Sequence, residues 1–480
     1  MYSQWEIDLF QHILSVESPC SARQIELLSP LPKGMMHRFS CIDVGEPKAP
    51  DRLKRKKGTY SVQPHASVFF DHPKLNLSSI KYVVSEPKPP MLHVELSMEA
   101  PPFAYQSADT ISIYLVNPTV LVEAVASALN YPLENRWIQL IPIPGTSSFH
   151  DPFPTPCRLA YAMAHYYELA TVSQTLVAHL AEYATDEAEA ANLKNLGSDQ
   201  VACDAALANL SLSGVLRRFP SVRVPLDAFL HIVPPIIPRQ FAIASSNILT
   251  PTSVHLCISV SPAVTFRDPN ISEGFTGASL MDLAAKKQEA SAKSVVARPL
   301  EHSGIRSTLL PSKFRLGLSS QPIVFVAVGS GFAVVRALML DRVSDSTTTG
   351  KHVIFYGCRT RACVPYMSEI KTWETKVNLQ LILACSSESA EGEDMKYRHV
   401  QDAVQTHISL ILEELDLNQG RLFVCGKAAM VQDVWQLLAQ AKRAQIDQTG
   451  VEETVASGRV DEWLRVIQDE GRYAESSGGS

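Results

Sequence analysis

Residues 322–338, PIVFVAVGSGFAVVRAL, decide how the chain is read. Ile323 to Val328 is an unbroken apolar run rich in β-branched residues, the pattern of a strand buried on both faces. Gly329-Ser330-Gly331 follows at once, and Phe332, Val335 and Leu338 then recur at helical spacing. Strand, tight glycine turn and helix together present free backbone N–H groups to a phosphate. Glycine permits positive φ and lets a bulky anion approach the main chain. Taken alone, the stretch is explained slightly better as an ordinary βα turn, because two glycines without a third at the dinucleotide spacing arise by chance.

The sequence that follows shifts the balance. Strands are expected at 323–328, 352–356, 379–384 and 422–425. They alternate with helices at 332–342, 364–373, 399–415 and 428–442, and a last helix at 460–468. Such alternation implies a parallel, doubly wound sheet, whose ligands sit at the carboxyl ends of the strands. Those ends read Gly329-Ser330-Gly331, Gly357-Cys358-Arg359, Ser386-Ser387 and Cys425-Gly426. Four small or polar strand ends in one sheet make a phosphate-rich ligand the better reading.

Upstream, 92–98 (LHVELSM) and 108–116 (ADTISIYLV) alternate as strands of an antiparallel sheet. Asn117-Pro118 and Thr155-Pro156 read as helix starts, a cap followed by proline, and Ser173 as the cap of one long helix. Strands resume at 241–245 and 254–260, so about a hundred mostly helical residues split the β region. Residues 45–90, rich in proline and lysine, and the polar stretch 285–310 read as loops. At the start of the chain, Trp5, Leu9, Phe10, Ile13 and Leu14 share one face of an amphipathic helix.

Composition sets bounds on function. A chain of 480 residues with 46% hydrophobic and 19% charged residues is an ordinary multidomain globular protein. A net charge of −6 gives no basic footprint for nucleic acid. Nine scattered cysteines without a CxxC pair argue for a reducing compartment and against a disulfide framework or a zinc site; no metal ligand is expected. No apolar run reaches the ~18 residues of a membrane helix, and no signal peptide is visible. A cytoplasmic protein is expected, with peripheral docking at the endoplasmic reticulum left open.

Seven phrases in order resemble the FAD/NADPH half of the diflavin reductases, the family of NADPH–cytochrome reductase. They are Asp151-Pro152-Phe153-Pro154, the run 239–246 (RQFAIASS), Phe314-Arg315-Leu316, the GSG turn, Tyr356-Gly357-Cys358-Arg359, Phe423-Val424-Cys425-Gly426 and Gly471-Arg472-Tyr473. The opening QWEIDLF is similar to the last helix of that family's FMN domain, of which nothing else is visible. The resemblance implies an antiparallel FAD-binding β-barrel split by a helical connecting insert, followed by a doubly wound parallel α/β NADP-binding domain, a ferredoxin-reductase-like fold. The expected segments are 1–40 (remnant helix), 41–116 and 233–317 (barrel), 117–232 (insert) and 318–480 (NADP-binding).

The resemblance also implies roles. Arg239, Gln240, Phe241 and Ala242 would meet FAD, with Arg239 on the pyrophosphate and Phe241 stacked on the isoalloxazine. Cys257 and Ser259 would line the flavin, and Gly277, Ala278 and Ser279 would give backbone N–H groups to its phosphates. Ser330 would sit at the NADPH pyrophosphate. Arg359, Ser386, Ser387, Lys396, Tyr397, His399 and Gln401 would surround the 2′-phosphate and ribose. Asp433 and Cys425 would lie near the ribose and nicotinamide, Cys425 in a catalytic position.

The chain departs from the pattern in places. Ala242 stands for the serine near flavin N5, Ser387 for an arginine, Leu280 for a hydroxyl residue and Val328 for a proline. The tail AESSGGS lacks the acidic and aromatic residues that cover the flavin. The implied function is FAD-dependent NAD(P)H oxidation, with electrons passed to an FMN- or haem-containing acceptor protein. The alternative is a catalytically degenerate reductase fold acting as an interaction or regulatory module.

Overall fold

The structure, a computed structural model, describes residues 30–46, 74–84, 90–98, 104–143, 153, 155–207, 210–260, 276–277, 279–285, 304–387, 397–448, 450 and 452–477. The N-terminal helix expected at 1–40 lies largely outside them, as do Ala278 and Lys396. In chain order the strands are β1 (Phe39–Val44), β2 (Lys74–Val84), β3 (Met91–Met98), β4 (Thr110–Tyr114), β5 (Trp137–Pro142), β6 (Cys157–Arg158) and β7 (Arg239–Ala242). They continue with β8 (Ser253–Ser259), β9 (Ile305–Leu310), β10 (Ile323–Val328), β11 (His352–Cys358), β12 (Leu379–Cys385), β13 (Arg421–Gly426) and β14 (Tyr473–Ser477).

The chain divides into two units. One comprises Met1–His72, Tyr114–Ile237 and Ala263–Lys286, the other Pro73–Ile113, Pro238–Pro262 and Lys287–Ser480. Among the described residues of the first unit, short helices accompany a three-stranded sheet of order β1-β5-β6. Phe39–Val44, assigned from sequence to the barrel or its border, pairs instead with β5 of the insert, Phe39 opposite Pro142.

Two of three expected helix starts turn out differently, and the helix of the third is short. Asn117 does not cap: its buried Nδ2 donates to Met163 O at 2.8 Å and Tyr167 O at 2.7 Å, and Pro118 is the N-cap of Thr119–Ala128. After Thr155-Pro156 the chain first pairs with β5 as β6, and the helix starts only at Leu159. Ser173 does cap, accepting from Leu176 N at 3.2 Å, but its helix ends at Leu180. Asp186 then caps a fresh helix, Glu187–Ser198, because a short side-chain acceptor satisfies an orphan N–H wherever it is offered.

In the second unit the antiparallel sheet has the order β7-β4-β9-β2-β3-β8. A bridge from Ile243, just past β7, to Leu256 of β8 joins its two ends, as a barrel requires. Two of its strands lie where loops were expected. β2 was hidden because register shifts between Leu77 and Ser79, and again between Tyr82 and Val84, break the apolar alternation. β9 has only three fully buried residues and ends in solvent.

The parallel sheet of the same unit has the order β12-β11-β10-β13-β14. The strand run 323–328 is buried on both faces as its composition implies, and its side chains divide between two cores. Ile323, Phe325 and Ala327 pack with the helices Phe332–Ser344 and Met367–Glu374, and also with Val84, Met91, Ala108, Ala244, Cys257 and Phe314 of the barrel segments. Val324 and Val326 pack with four helices on the opposite face. This is a ferredoxin-reductase-like arrangement, an antiparallel barrel set against one face of a doubly wound sheet. The polar tail YAESS adds the edge strand β14, parallel to β13 with Ser476 beside Cys425 and Ser477 beside Gly426.

His352, the first residue of β11, is wholly buried. Burial, reinforced by the Arg342 charge, lowers its pKa from 6.5 to about 4. Below pH 6.5 the unfolded chain takes up a proton that the folded chain refuses, so stability is lost as pH falls toward 4. The urea midpoint is expected to drop between pH 7 and pH 5, and His352→Asn to flatten that slope. An unchanged slope in the variant would assign the acid sensitivity to other groups.

Candidate functional site

The centre of the site is the GSG turn. Gly329-Ser330-Gly331 forms a single 3₁₀ turn between β10 and the helix Phe332–Ser344. Its two glycines serve different needs. Gly329 has φ +58°, a backbone that favours glycine, and no close neighbour above it. A Cβ placed there would have Ser259 Oγ of β8 as its nearest neighbour, at 3.7 Å. Gly331 has ordinary helical φ, but a Cβ there would lie 2.5 Å from the main-chain oxygen of Cys425. The Tyr356 hydroxyl donates to Gly329 O at 3.1 Å and fixes the turn from below. The barrel strand β8 and the turn of the parallel sheet thus face each other across a few ångströms.

On the barrel side, β7 carries Arg239, Gln240, Phe241 and Ala242, paired to Ile113, Ser112, Ile111 and Thr110 of β4. Arg239, Phe241 and Ala242 are half-buried and Gln240 is exposed. Cys257 and Ser259 lie on one face of β8, two residues apart. They differ in surroundings: Ser259 is exposed toward the turn, whereas Cys257 is buried and its thiol is pushed up to about 12 by burial. Cys257 therefore meets this space as a neutral packing group. Gly277 and Ser279 are buried in the other unit, where Ser279 Oγ donates to Val116 O at 2.6 Å. Leu280 is buried beside them as a core residue.

At the carboxyl ends of β11 and β12, backbone bonds gather several predicted residues. Ser386 N donates to Cys358 O at 3.0 Å, Ser387 N to Arg359 O at 2.9 Å, and Cys385 N to Tyr397 O at 2.9 Å. Arg359, Ser387, Arg398 and His399 are exposed around this rim, a cationic edge suited to a phosphate. Gln401 Nε2 donates to Asp433 Oδ2 at 2.9 Å, joining two more of the predicted residues. His399 is the N-cap of Val400–Thr406, closed by a bond from its N–H to Asp402 Oδ2 at 2.8 Å. The expected single helix over 399–415 breaks at His407, which bonds the Tyr397 hydroxyl at 3.1 Å.

Cys425, expected near the nicotinamide, meets the turn as a neutral thiol. It sits at the end of β13 beside the turn, in register with Ala327, but it is fully buried and burial raises its thiol pKa far above the usual range. A thiol acts as a nucleophile only when ionised. Cys425 shapes the site instead, as the floor beneath Gly331.

Three features were not anticipated. Arg336, from an apolar helix, donates Nε and Nη2 to both oxygens of Glu369 at 2.9 and 3.0 Å and Nη1 to Ala244 O at 2.8 Å. Its guanidinium lies 4.6 Å above the Tyr366 ring. Arg315 donates to the buried Asp109 at 2.6 Å, which explains the arginine of the FRL phrase as a tie onto the start of β4. Tyr366, held at φ +55°, bonds His93 Nδ1 at 2.8 Å, and His93 Nε2 meets Glu95 Oε1 at 3.2 Å. Burial lowers the His93 pKa to about 4. A charged residue inside FAVVRALML was the one signal in the sequence, since a buried cation needs partners. A cavity of about 790 Å³ lies in the helical unit between Asp43, Tyr131, Arg136 and Arg223, and no predicted site residue lines it.

Comparison with known proteins agrees with this geometry. Residues 76–278 match the FAD binding domain family and residues 325–436 the oxidoreductase NAD-binding domain family. Together the two matches support the FAD- and NADP-binding half of a diflavin reductase. It is similar to the NADPH–cytochrome P450 reductase of Drosophila melanogaster, 28% identical over 362 residues, 73% of this chain and 50% of the relative. The corresponding proteins of Aspergillus terreus and Oryctolagus cuniculus are each 26% identical. They cover 80% and 72% of this chain, and 56% and 50% of their own lengths. The chain thus spans about half the length of the curated relatives it matches. None of its described helices is long and apolar enough to cross a membrane.

Proposed function

We propose that this chain is an FAD-dependent NAD(P)H oxidoreductase that takes hydride from the nicotinamide and hands electrons to a separate FMN- or haem-containing acceptor at the cytoplasmic face of the endoplasmic reticulum. The barrel on either side of the insert 117–232 holds FAD, and the domain from 318 onward holds NADPH. When bound, the flavin supplies the redox chemistry and the protein supplies alignment. The observation that carries this reading is the approach of Ser259 on β8 to the open face of Gly329. A flavin lying along β7 and β8 and a dinucleotide seated on the GSG turn would meet in one cleft.

The residues present fit both groups. The space above Gly329 and the half-exposed Ser330 accommodate a pyrophosphate, and the rim of Arg359, Arg398 and His399 complements an adenosine 2′-phosphate. Arg239 is assigned to the flavin pyrophosphate, where its fork binds bidentately, and Phe241 to the ring face. Gln240 and Ala242 of the same strand are assigned to the flavin as well. Ser386, Ser387, Lys396, Tyr397, Gln401 and Asp433 complete the nucleotide set. With Ala242 in place of a hydroxyl, the protein offers no side-chain hydrogen bond there, which points to a slower hydride step rather than to weaker flavin binding.

The purified chain is expected to show the blue-absorbing band of oxidised flavin after reconstitution with FAD, and anaerobic NADPH to bleach it. Arg239→Ala is expected to weaken FAD binding by roughly 10²-fold, the loss of about 3 kcal/mol of charge-assisted hydrogen bonding. A colourless protein that takes up no FAD would instead identify a degenerate fold serving as an interaction module.

A further inference from the structure

Beside the flavin strand lies a second cluster that this function does not use. His93 and Glu95 are two residues apart on β3, and His255 stands opposite Glu95 on β8, so all three share one face of the barrel sheet. One nitrogen of each imidazole and one carboxylate oxygen lie within 4.8 Å of one another. We propose that His93, Glu95 and His255 form a binding site for a divalent transition metal ion of the zinc class, with an open coordination position toward the neighbouring cleft.

The donor set is the first argument. Two imidazoles and a carboxylate make a three-ligand set used for Zn²⁺ with water in the fourth place. Donors about 2.0–2.1 Å from a tetrahedral ion stand roughly 3.3–3.5 Å apart. His93 Nε2 and Glu95 Oε1 are already 3.2 Å apart.

The second argument is the shell behind the ligands. A metal-bound histidine typically has its other nitrogen held by a fixed partner. His93 Nδ1 is held by the Tyr366 hydroxyl at 2.8 Å, and its Nε2 meets Glu95 Oε1 at 3.2 Å, a bond that an ion between the two would replace. His255 Nε2 meets Ser253 Oγ at 3.2 Å, while its Nδ1 is buried without a hydrogen-bond partner. The two rings meet edge to face, with centroids 5.0 Å apart. Within the cluster His255 Nδ1 is the donor atom that no protein hydrogen bond occupies.

The third argument is access and charge. A cleft of about 490 Å³ opens beside the cluster, lined by Lys81, His93, Arg336, Tyr366 and Glu369. Of the two cations there, Arg336 is already paired with both oxygens of Glu369. Lys81 Nζ stands 3.6 Å from Glu95 Oε1 on a largely exposed side chain and can swing away when an ion takes that oxygen. The cysteine spacing used to exclude zinc from the sequence is silent on such a site, because its ligands come from strands paired across the fold.

The test is a Zn²⁺ titration of the full chain after treatment with a chelator, read by competition with a chromogenic chelator, with and without FAD. One ion per chain is expected to bind at micromolar concentration or below in both forms. His255→Ala and Glu95→Gln are expected to weaken binding by more than about 100-fold, beyond what loss of an outer-shell partner alone costs. Lys81→Met is expected to tighten it several-fold, and Cys385→Ser to leave it unchanged. Zinc-edge X-ray absorption of the wild-type protein is expected to show only nitrogen and oxygen neighbours, a readout that needs no variant to fold. Sulfur in that shell, affinity unmoved by both ligand substitutions, or no binding below millimolar Zn²⁺ would overturn the proposal. Because the flavin-free form is titrated as well, failure here is separable from failure to bind FAD.

Discussion

Arg336→Leu is expected to destabilise the chain by about 3 kcal/mol, among the largest single effects available in the second unit. Leucine fills the apolar part of the space and removes five donors. Glu369 then loses both of its bonds, at 2.9 and 3.0 Å, and Ala244 O loses its donor at 2.8 Å. Breaking a buried pair from one side costs about 3–5 kcal/mol because the other charge stays behind. The lower end applies here, since the Glu369 side chain keeps 32% exposure and recovers some hydration.

The effect should reach beyond stability. Ala244 lies two residues past Ala242, the end of β7, so the bond from Arg336 holds the exit of that strand against the helix Phe332–Ser344. Denaturant unfolding monitored by circular dichroism checks the energy, and flavin retention on a desalting column checks the link. Glu369→Gln keeps a hydrogen-bonding partner for Arg336 and is expected to cost less than half as much. Equal losses in the two variants would show that Ala244 O contributes nothing.

Gly331→Ala is expected to abolish most NADPH-dependent flavin reduction while Gly329→Ala leaves much of it. The contrast runs against intuition, since Gly329 has the positive φ. At Gly329 an alanine meets only Ser259 Oγ at 3.7 Å and bears a backbone strain of about 1–2 kcal/mol. At Gly331 the new methyl would stand 2.5 Å from Cys425 O and 2.9 Å from its carbonyl carbon. Those are main-chain atoms in the middle of a parallel sheet, and they cannot rotate aside. The turn must lift off β13 instead, at a cost of about 1–3 kcal/mol in overpacking.

A lifted turn also carries its ligand away from β8. A displacement near 1 Å in a reacting pair costs roughly 10²-fold in rate. Stopped-flow bleaching of the flavin by NADPH, with midpoint temperatures taken in parallel, separates the two terms. A Gly331→Ala protein that bleaches at the wild-type rate would show that the dinucleotide is not seated on this turn.

Part of the acid response is fixed by the same packing that makes the sheet. His352 was legible in the sequence only as the first residue of a strand, and its depressed pKa follows from the depth at which that strand is buried.

Local signals that are strong and self-contained were read correctly from the chain. The run 323–328 could only be a doubly buried strand, because six consecutive apolar residues have no polar face to give to water. The regular alternation after it announced the parallel sheet, and the ordered motif phrases announced the barrel, the insert and the cofactor pair.

What depends on partners distant in sequence was not legible. Asn117 looked like a cap and is a buried strut, because Met163 O and Tyr167 O reach it first. YAESS looked like a tail and is a strand, because β13 offers it a parallel edge. Cys425 was placed near the nicotinamide by resemblance alone, and the fold buries it as a neutral thiol beneath the turn. Arg336 announced itself only as an anomaly in an apolar helix, and His93, Glu95 and His255 not at all. The sequence by itself determined the layers of the fold and the class of ligand. The tertiary structure alone decided which glycine is sterically indispensable, which thiol is silent and which imidazoles meet, since each depends on contacts between strands and helices that only the folded chain brings together.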